Sequence, residues 1–272
     1  MFRGIATGSP SIRDSDPETY HRQPLSARDP GAVARRARIG CAMSQGSALL
    51  QLSGLKKSFP DPDGGRKLII DIPEFSLAMG EQAALRGESG SGKTTFLNLI
   101  SGILAPDSGS IRIDGSDMAG LGEHRRDRLR GSSIGYIFQT FNLLQGYSCL
   151  ENVLLGMTFG ARADRDQALA LLARVGLSHR LNHFPRQLSS GQQQRVAVAR
   201  ALAKRPKLVL ADEPTGNLDH KNAREALRLV RETCLETGAA LLLVSHDPEV
   251  LGSFQNVRDF ADLNLALKET AT

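Results

Sequence analysis

The sequence predicts an α/β fold in which a mainly parallel sheet is covered by helices on both faces. Two observations predict it. Short, continuous apolar runs stand at 82–85, 208–211 and 240–244 and read as strands buried on both sides. Between them lie segments whose apolar residues recur every three to four positions, and strands alternating with helices build parallel sheets. The chain has 272 residues, 40% apolar and 23% charged, enough for one large domain that needs no disulfide or metal staple.

In chain order, residues 1–47 read as a disordered extension. Four of the twelve prolines lie within 1–42, apolar residues show no sustained period there, and a long secretory apolar core is missing. We expect the extension to be dispensable, with ordered patterning starting just after Met43. The alternative is a basic arm touching anionic lipid. Leu50, Leu52 and Leu55 then mark a strand, and the Pro, Asp and Gly residues of 60–65 a turn. Residues 68–72 and 75–77 read as two further strands, and 82–85 as a short one that ends in Gly87. A helix over 94–103 carries Phe96, Leu97, Ile100 and Leu104 on one face. Residues 110–113 alternate like an edge strand closed by Asp114 and Gly115, and 134–138 form another strand. The middle, about 147–204, is helical. Leu169, Leu172, Val175 and Leu177 suit a helix ending near Gly176, and a second helix covers 192–204. A strand at 208–211, a helix over 221–237, a strand at 240–244 and a short closing unit complete the pattern. Ala223, Leu227, Val230 and Cys234 share a face of that helix, which puts Cys234 in the core.

One segment carries chemistry on its own. Gly87-Glu88-Ser89-Gly90-Ser91-Gly92-Lys93-Thr94 fits G-x-x-x-x-G-K-[ST], between a predicted strand and a predicted helix, as that motif requires. Glycines let backbone N–H groups turn inward around a phosphate, and the helix N-terminus adds positive potential. Lys93 reaches the terminal phosphates and the Thr94 hydroxyl holds Mg²⁺. A P-loop NTPase follows as the leading reading. Its second half is a hydrophobic strand ending in carboxylates, and 208–213 supplies it. Asp212 suits a Mg²⁺ contact, and Glu213 the general base that orients the attacking water.

Further motifs follow in order. Leu188-Ser189-Ser190-Gly191-Gln192 resembles the signature motif of ABC-type ATPases, and the run to Arg200 fits with it. So do Asp212-Glu213-Pro214-Thr215-Gly216-Asn217-Leu218-Asp219 and Val244-Ser245-His246-Asp247. Gln139, after the strand at 134–138, looks like the family's Q-loop, and Phe59 sits where it places an adenine-stacking aromatic. Taken singly, each has an ordinary reading: Gln139 ends a strand, Phe59 is core, His246 is a turn histidine, and Ser189 caps a helix. Two residues depart from the family pattern: Ser190 where Gly is usual, and Arg86 where an aliphatic residue is commoner.

The resemblance covers 48–262 and implies an ABC ATPase fold: a parallel core sheet, an antiparallel β subdomain, a helical subdomain over about 140–195, and a short tail at 263–272. It implies ATP with Mg²⁺ as ligands. Ser89, Gly90, Ser91, Gly92, Lys93, Thr94 and Thr95 cradle the phosphates. Gln139 joins Thr94 and Asp212 at the metal and links to a membrane partner. Glu213 is the base and His246 stabilises the γ-phosphate region. Ser189 and Gly191 face the γ-phosphate held by another subunit, and Asp219 couples the two sites. The dimer implied is of two copies or of one copy with a related ATPase.

Other branches fit less well. Thr94 and Leu188 are 94 residues apart, which leaves no room for the long coiled coil of the DNA-repair and chromosome types. One cassette excludes the two-cassette translation-factor type, and three scattered cysteines give no zinc cluster. The stretches 135–144, 150–153 and 214–219 look most like the lipoprotein-releasing and macrolide-exporter branch. That resemblance implies a bacterial motor subunit on the cytoplasmic face of the inner membrane, powering a separate permease whose cytoplasmic helix is received along 142–153. The alternative is a regulatory or cell-division ATPase that moves no cargo. An inactive scaffold is disfavoured because Lys93, Asp212, Glu213 and His246 are all present.

Composition agrees. No apolar run approaches the roughly 18–20 residues of a membrane span; the one near the end is 239–244. The net charge is +5, but residues 1–42, with seven arginines against four acids, carry most of it. Aromatics are 5% and Trp is absent, so a nucleic-acid partner is not expected. The separated cysteines argue for a reducing compartment.

Overall fold

The computed structural model describes residues 48–62, 64–118, 120–158 and 163–269. The extension expected at 1–47 lies outside the described residues. Two sheets form. β1 (Ala48–Pro60) and β2 (Arg66–Ala78) pair antiparallel, and β4 (Ser108–Ile113) and β5 (Ser116–Asp117) extend the sheet in the order β2-β1-β4-β5. The second sheet is parallel, with β3 (Gln82–Arg86), β6 (Ile134–Ile137), β7 (Leu208–Asp212), β8 (Ala240–Ser245) and β9 (Asn256–Asp259) in the order β6-β7-β8-β3-β9.

The apolar runs explain the layers. In β8, Leu242 and Val244 join one core, with Phe96 and Ile100 of α1 (Lys93–Ile100) and the inner face of β1 and β2. Leu241 and Leu243 join a second core with Val198 of α5 (Ser190–Leu202) and Leu227, Val230 and Cys234 of α6 (His220–Thr237). The central strands β7 and β8 are therefore covered on both faces and buried along their whole length. Cys234 is fully buried, and burial pushes its thiol up to about 12. Phe96 is the pivot of the first core: its ring meets Phe75 edge-on at 5.6 Å and Phe260 at 5.5 Å. A third core belongs to α3 (Cys149–Met157), α4 (Arg165–Arg174) and the inner face of α5, built on Leu150, Val153, Leu172 and Val196.

Several elements differ from expectation. The two strands expected at 68–72 and 75–77 are one strand, β2. Pro73 is tolerated within it because β2 is an edge strand. The Asp71 carboxylate accepts from Lys56 Nζ on neighbouring β1 at 3.0 Å. The strand at 110–113 is not an edge: β4 lies between β1 and β5. The helix expected over 94–103 stops at Ile100, and the chain turns at Gly102 in the left-handed region, φ 70°. Helix α2 (Glu123–Ser133) was not foreseen, because Leu129 is its one large apolar residue. Beyond 262 the chain stays folded. Between α8 (Phe260–Leu263) and α9 (Ala266–Glu269), Asn264 is buried, and its Oδ1 accepts the Asp71 N–H at 2.8 Å.

Candidate active site

Strand β3 delivers the chain to the loop 87–92, and α1 opens at Lys93. Gly90 (φ 80°) and Gly92 (φ 99°) hold left-handed backbone, which residues with a Cβ rarely adopt. At Gly92 a Cβ would also press on Ile70 at 3.2 Å and Ile69 at 3.3 Å. Lys93 is 6% exposed; its Nζ donates to the carbonyls of Gly87 and Glu88, both at 2.7 Å, and lies 3.8 Å from Glu213 Oε1.

The loop forms one wall of a cleft of about 530 Å³. Phe59, Ser89, Gly90, Gly92, Lys93, Thr94, Thr95, Gln139, Asp212, Glu213 and His246 all line it. Residues from 59 to 246 thus converge on one concavity. Asp61, Lys67 and Ile69 line it as well and carried no sequence motif. Phe59 is placed by the end of β1, where Asp107 anchors the strand. Its carboxylate accepts the Ser58 N–H at 2.7 Å and Lys57 Nζ at 2.9 Å, and Lys57 sits 5.7 Å over the Phe59 ring.

The two carboxylates have different surroundings. Asp212 ends β7, and burial raises its pKa, while the Thr94 hydroxyl donating to it pulls the other way. Its Oδ1 is buried with no partner among the described residues. A hydroxyl and a buried carboxylate oxygen, with the Gln139 side chain in the same cleft, form an oxygen donor set that suits Mg²⁺ once phosphates supply the rest. Among the described residues no group of three or more His, Cys, Asp or Glu could hold a metal unaided. Glu213 sits in left-handed backbone, φ 42°, with its N–H donating to the Val244 carbonyl at 3.1 Å. Ser245 Oγ donates to its Oε2 at 3.0 Å, and His246 Nδ1, carrying its proton, donates to its Oε1 at 2.8 Å. Glu213 is 10% exposed and the His246 side chain 62%, so the imidazole is the group free to face a ligand.

Loops that meet here are tied through backbone carbonyls. Asn217 Nδ2 donates to Gln139 O at 2.7 Å, and Gln194 Nε2 to Pro214 O at 2.6 Å. Arg200 donates to the carbonyls of Phe141, at 2.8 Å, and Asn142, at 2.5 Å. Those two residues are themselves left-handed, φ 53° and 50°. Sequence reasoning missed Asn217, Gln194, Arg200 and Ser245 as positioning groups.

Four expected site residues lie elsewhere. Ser91 lines the groove behind the loop, its hydroxyl donating to Glu88 O at 2.8 Å. Ser189, Gly191 and Asp219 are outside the cleft. Ser189 caps α5: its Oγ accepts the Gln192 N–H at 3.3 Å, and Gln192 Oε1 accepts the Ser189 N–H at 3.1 Å. Ser190, the departure from glycine, is exposed and sits in helical backbone that serine adopts without strain. Gly191 has no such room, because a Cβ there would lie 2.7 Å from Asn222 Oδ1. Asp219 caps α6, and hydrogen bonds from the Asn222 backbone and side chain hold its carboxyl below the usual range. Arg86, the other departure, is explained by Asp259 on neighbouring β9, whose Oδ2 accepts Nε at 3.1 Å and Nη2 at 2.8 Å.

A second groove, about 440 Å³, is lined by Ile103, Arg130, Asn142, Leu155 and Gly156 among others. Of the segment 142–153, Asn142 lines it, whereas Leu143, Cys149, Leu150 and Val153 are core of the helical layer.

The family model described as ABC transporter matches residues 70–216. The chain is 42% identical over 206 residues to the lipoprotein-releasing system ATP-binding protein LolD of Shewanella sp. (strain MR-7), covering 74% of this chain and 88% of that protein. It is also 42% identical over 212 residues to the macrolide export ATP-binding/permease protein MacB of Syntrophobacter fumaroxidans, covering 74% of this chain but 29% of that longer protein. Among solved structures it is similar to the dimeric post-hydrolysis state of the ATP-binding cassette MJ0796 bound to ADP and Pi. There the TM-score is 0.69 and the identity 34%, over 77% of this chain and 93% of that one. The family match, the identity to LolD and the likeness to an ADP-bound cassette, in a chain whose phosphate loop faces a buried carboxylate pair, place it in the ABC transporter family, as an ATP-binding and ATP-hydrolysing subunit.

Proposed function

We propose that this chain is the motor of a bacterial complex that releases lipoproteins, or exports lipid-linked or peptide cargo, through a separate membrane permease. One observation carries the mechanism: the cleft holds every expected nucleotide contact except Ser91, Ser189, Gly191 and Asp219, and the last three stand at the starts of α5 and α6, outside it. A second ATPase subunit, another copy or a relative, then supplies its own Ser189 and Gly191 to the γ-phosphate. The dimer seen for MJ0796 supports this reading.

In the cleft, Phe59 stacks on adenine and the loop N–H groups take the phosphates. Lys93 leaves the loop carbonyls for the β- and γ-phosphates. Thr94, Asp212 and Gln139 would hold Mg²⁺, which neutralises phosphate charge when bound. Glu213 takes a proton from the attacking water, its carboxylate aimed by Ser245 and His246. The exposed His246 stabilises the γ-phosphate region, and Asp219 couples the two sites across the dimer. Among the described residues no helix is long and apolar enough to cross a membrane. We place the chain at the cytoplasmic face of the inner membrane, with the permease's cytoplasmic helix in the second groove.

Glu213→Gln tests the shared site. Gln keeps the shape, and Ser245 Oγ can turn to accept from the new amide. ATP binding is expected to persist, turnover to fall about 10²–10⁴-fold, and a dimer to accumulate with ATP at low salt. A monomer by light scattering at saturating ATP overturns the shared-site mechanism.

A further inference from the structure

We infer that the second groove is built for an acidic helix: the membrane partner brings a carboxylate to Lys204. This rests on the permease reading above and adds the chemistry by which the partner is recognised.

The charges of the groove do not balance. Arg130, Arg200 and Lys204 line it, against Asp127 as the one carboxylate among the described residues. Asp127 is already engaged, its Oδ1 accepting Arg130 Nη2 at 2.8 Å. Arg200 turns its guanidinium to the carbonyls of Phe141 and Asn142, neutral partners, and no acid among the described residues pairs with it. Lys204 does the same with the carbonyl of Arg130, at 3.1 Å. Among the described residues no acid pairs with it. Burial, with Arg130 close by, brings its pKa down to about 8. A half-buried ammonium without a counter-charge is costly while the chain is alone, and it is compensated when a carboxylate arrives.

The walls say what carries that carboxylate. Ile103 is 51% exposed at the rim, and the rings of Tyr136 and Phe138 stack at 4.1 Å along one side. An apolar strip beside half-buried cations fits the face of an amphipathic helix with an acid at its centre better than it fits a lipid headgroup. Asn142 and Arg200 line the groove as well, so the occupant would touch the clamp that holds the loop after Gln139.

A photo-crosslinking residue at Ile103 of the full chain, in intact membranes, identifies the occupant. The expected product is a cytoplasmic segment of a membrane protein with Asp or Glu within one helical turn of the attachment point. Lys204→Glu then lowers the yield more than tenfold, and changing that acid to Lys restores it. Purified Lys204→Met is expected to melt no lower than the parent, which separates lost charge from lost fold. A crosslinked membrane-protein segment without an acid, a crosslink to phospholipid, indifference to Lys204→Glu, or a lower melting point for Lys204→Met overturns the inference and leaves the permease reading standing. Crosslinks to soluble proteins alone overturn both.

Discussion

Gly191→Ala separates the structural from the catalytic role of the signature helix. The added Cβ would lie 2.7 Å from Asn222 Oδ1 and 2.8 Å from its Cγ, so Asn222 must retreat. It is not free to do so, because its N–H donates to Asp219 Oδ1 at 3.0 Å and its Nδ2 to Oδ2 at 2.5 Å. Losing the side-chain bond to a carboxylate in water costs about 1 kcal/mol. Residual crowding adds about 1 kcal/mol, and the better helix propensity of Ala returns at most about 1 kcal/mol. The net is about 1 kcal/mol, or roughly 2–4 °C in Tm for a domain of this size. Turnover is expected to fall much further, about 10²-fold, the loss typical of one misplaced transition-state donor. Binding of a fluorescent ATP analogue stays, because residue 191 does not line the chain's own cleft. Calorimetry and steady-state ATPase on the same preparation decide the matter. Turnover within twofold of the parent refutes a catalytic role for this helix start, and a Tm loss beyond 10 °C refutes the packing estimate.

Three further outcomes are expected. Arg200→Lys loses the planar fork that spans two carbonyls; stability drops by about 1–2 kcal/mol in urea titration, and kcat falls while KM for ATP holds. Lys204, near pH 8 in the folded chain against an ordinary 10.5 when unfolded, leaves the unfolded state binding more protons across that window. Stability therefore climbs as pH rises from 8 to 10.5, by at most about 1.4 kcal/mol per unit, and Lys204→Met abolishes the climb in paired melting curves. We propose that deletion of residues 1–42 leaves turnover within twofold, and a larger loss in the ATPase assay refutes the dispensable extension.

The parallel sheet was legible because 208–211 and 240–244 are apolar without interruption, a pattern set by burial on both faces. The phosphate loop was legible because its chemistry is local: one run of eight residues carries the glycines, the lysine and the hydroxyl. Helix α2 was not, since it packs through arginine stems and Leu129 rather than through an apolar stripe. The continuity of β2 was hidden because its polar residues find partners far along the chain: the Asp71 N–H bonds a residue 193 positions away. The same holds at the site. Arg86 made no sense until Asp259, 173 residues on, stood beside it, and Ser245 and Asn217 act on groups 32 and 78 residues distant. Motifs record what each loop brings to the cleft. Which loop holds which is decided by how the loops meet.

The left-handed backbone of Glu213 has a consequence for anyone who tries to toughen this protein. A non-glycine residue at φ 42° carries strain of order 1–3 kcal/mol. Glycine would relieve it, and asparagine or aspartate would relieve part of it. A search for heat resistance alone would therefore gain at this position while removing the carboxylate we propose as the base. The tension also serves as a landmark. With every side chain stripped away, the kink after β7 would still mark where that carboxylate belongs.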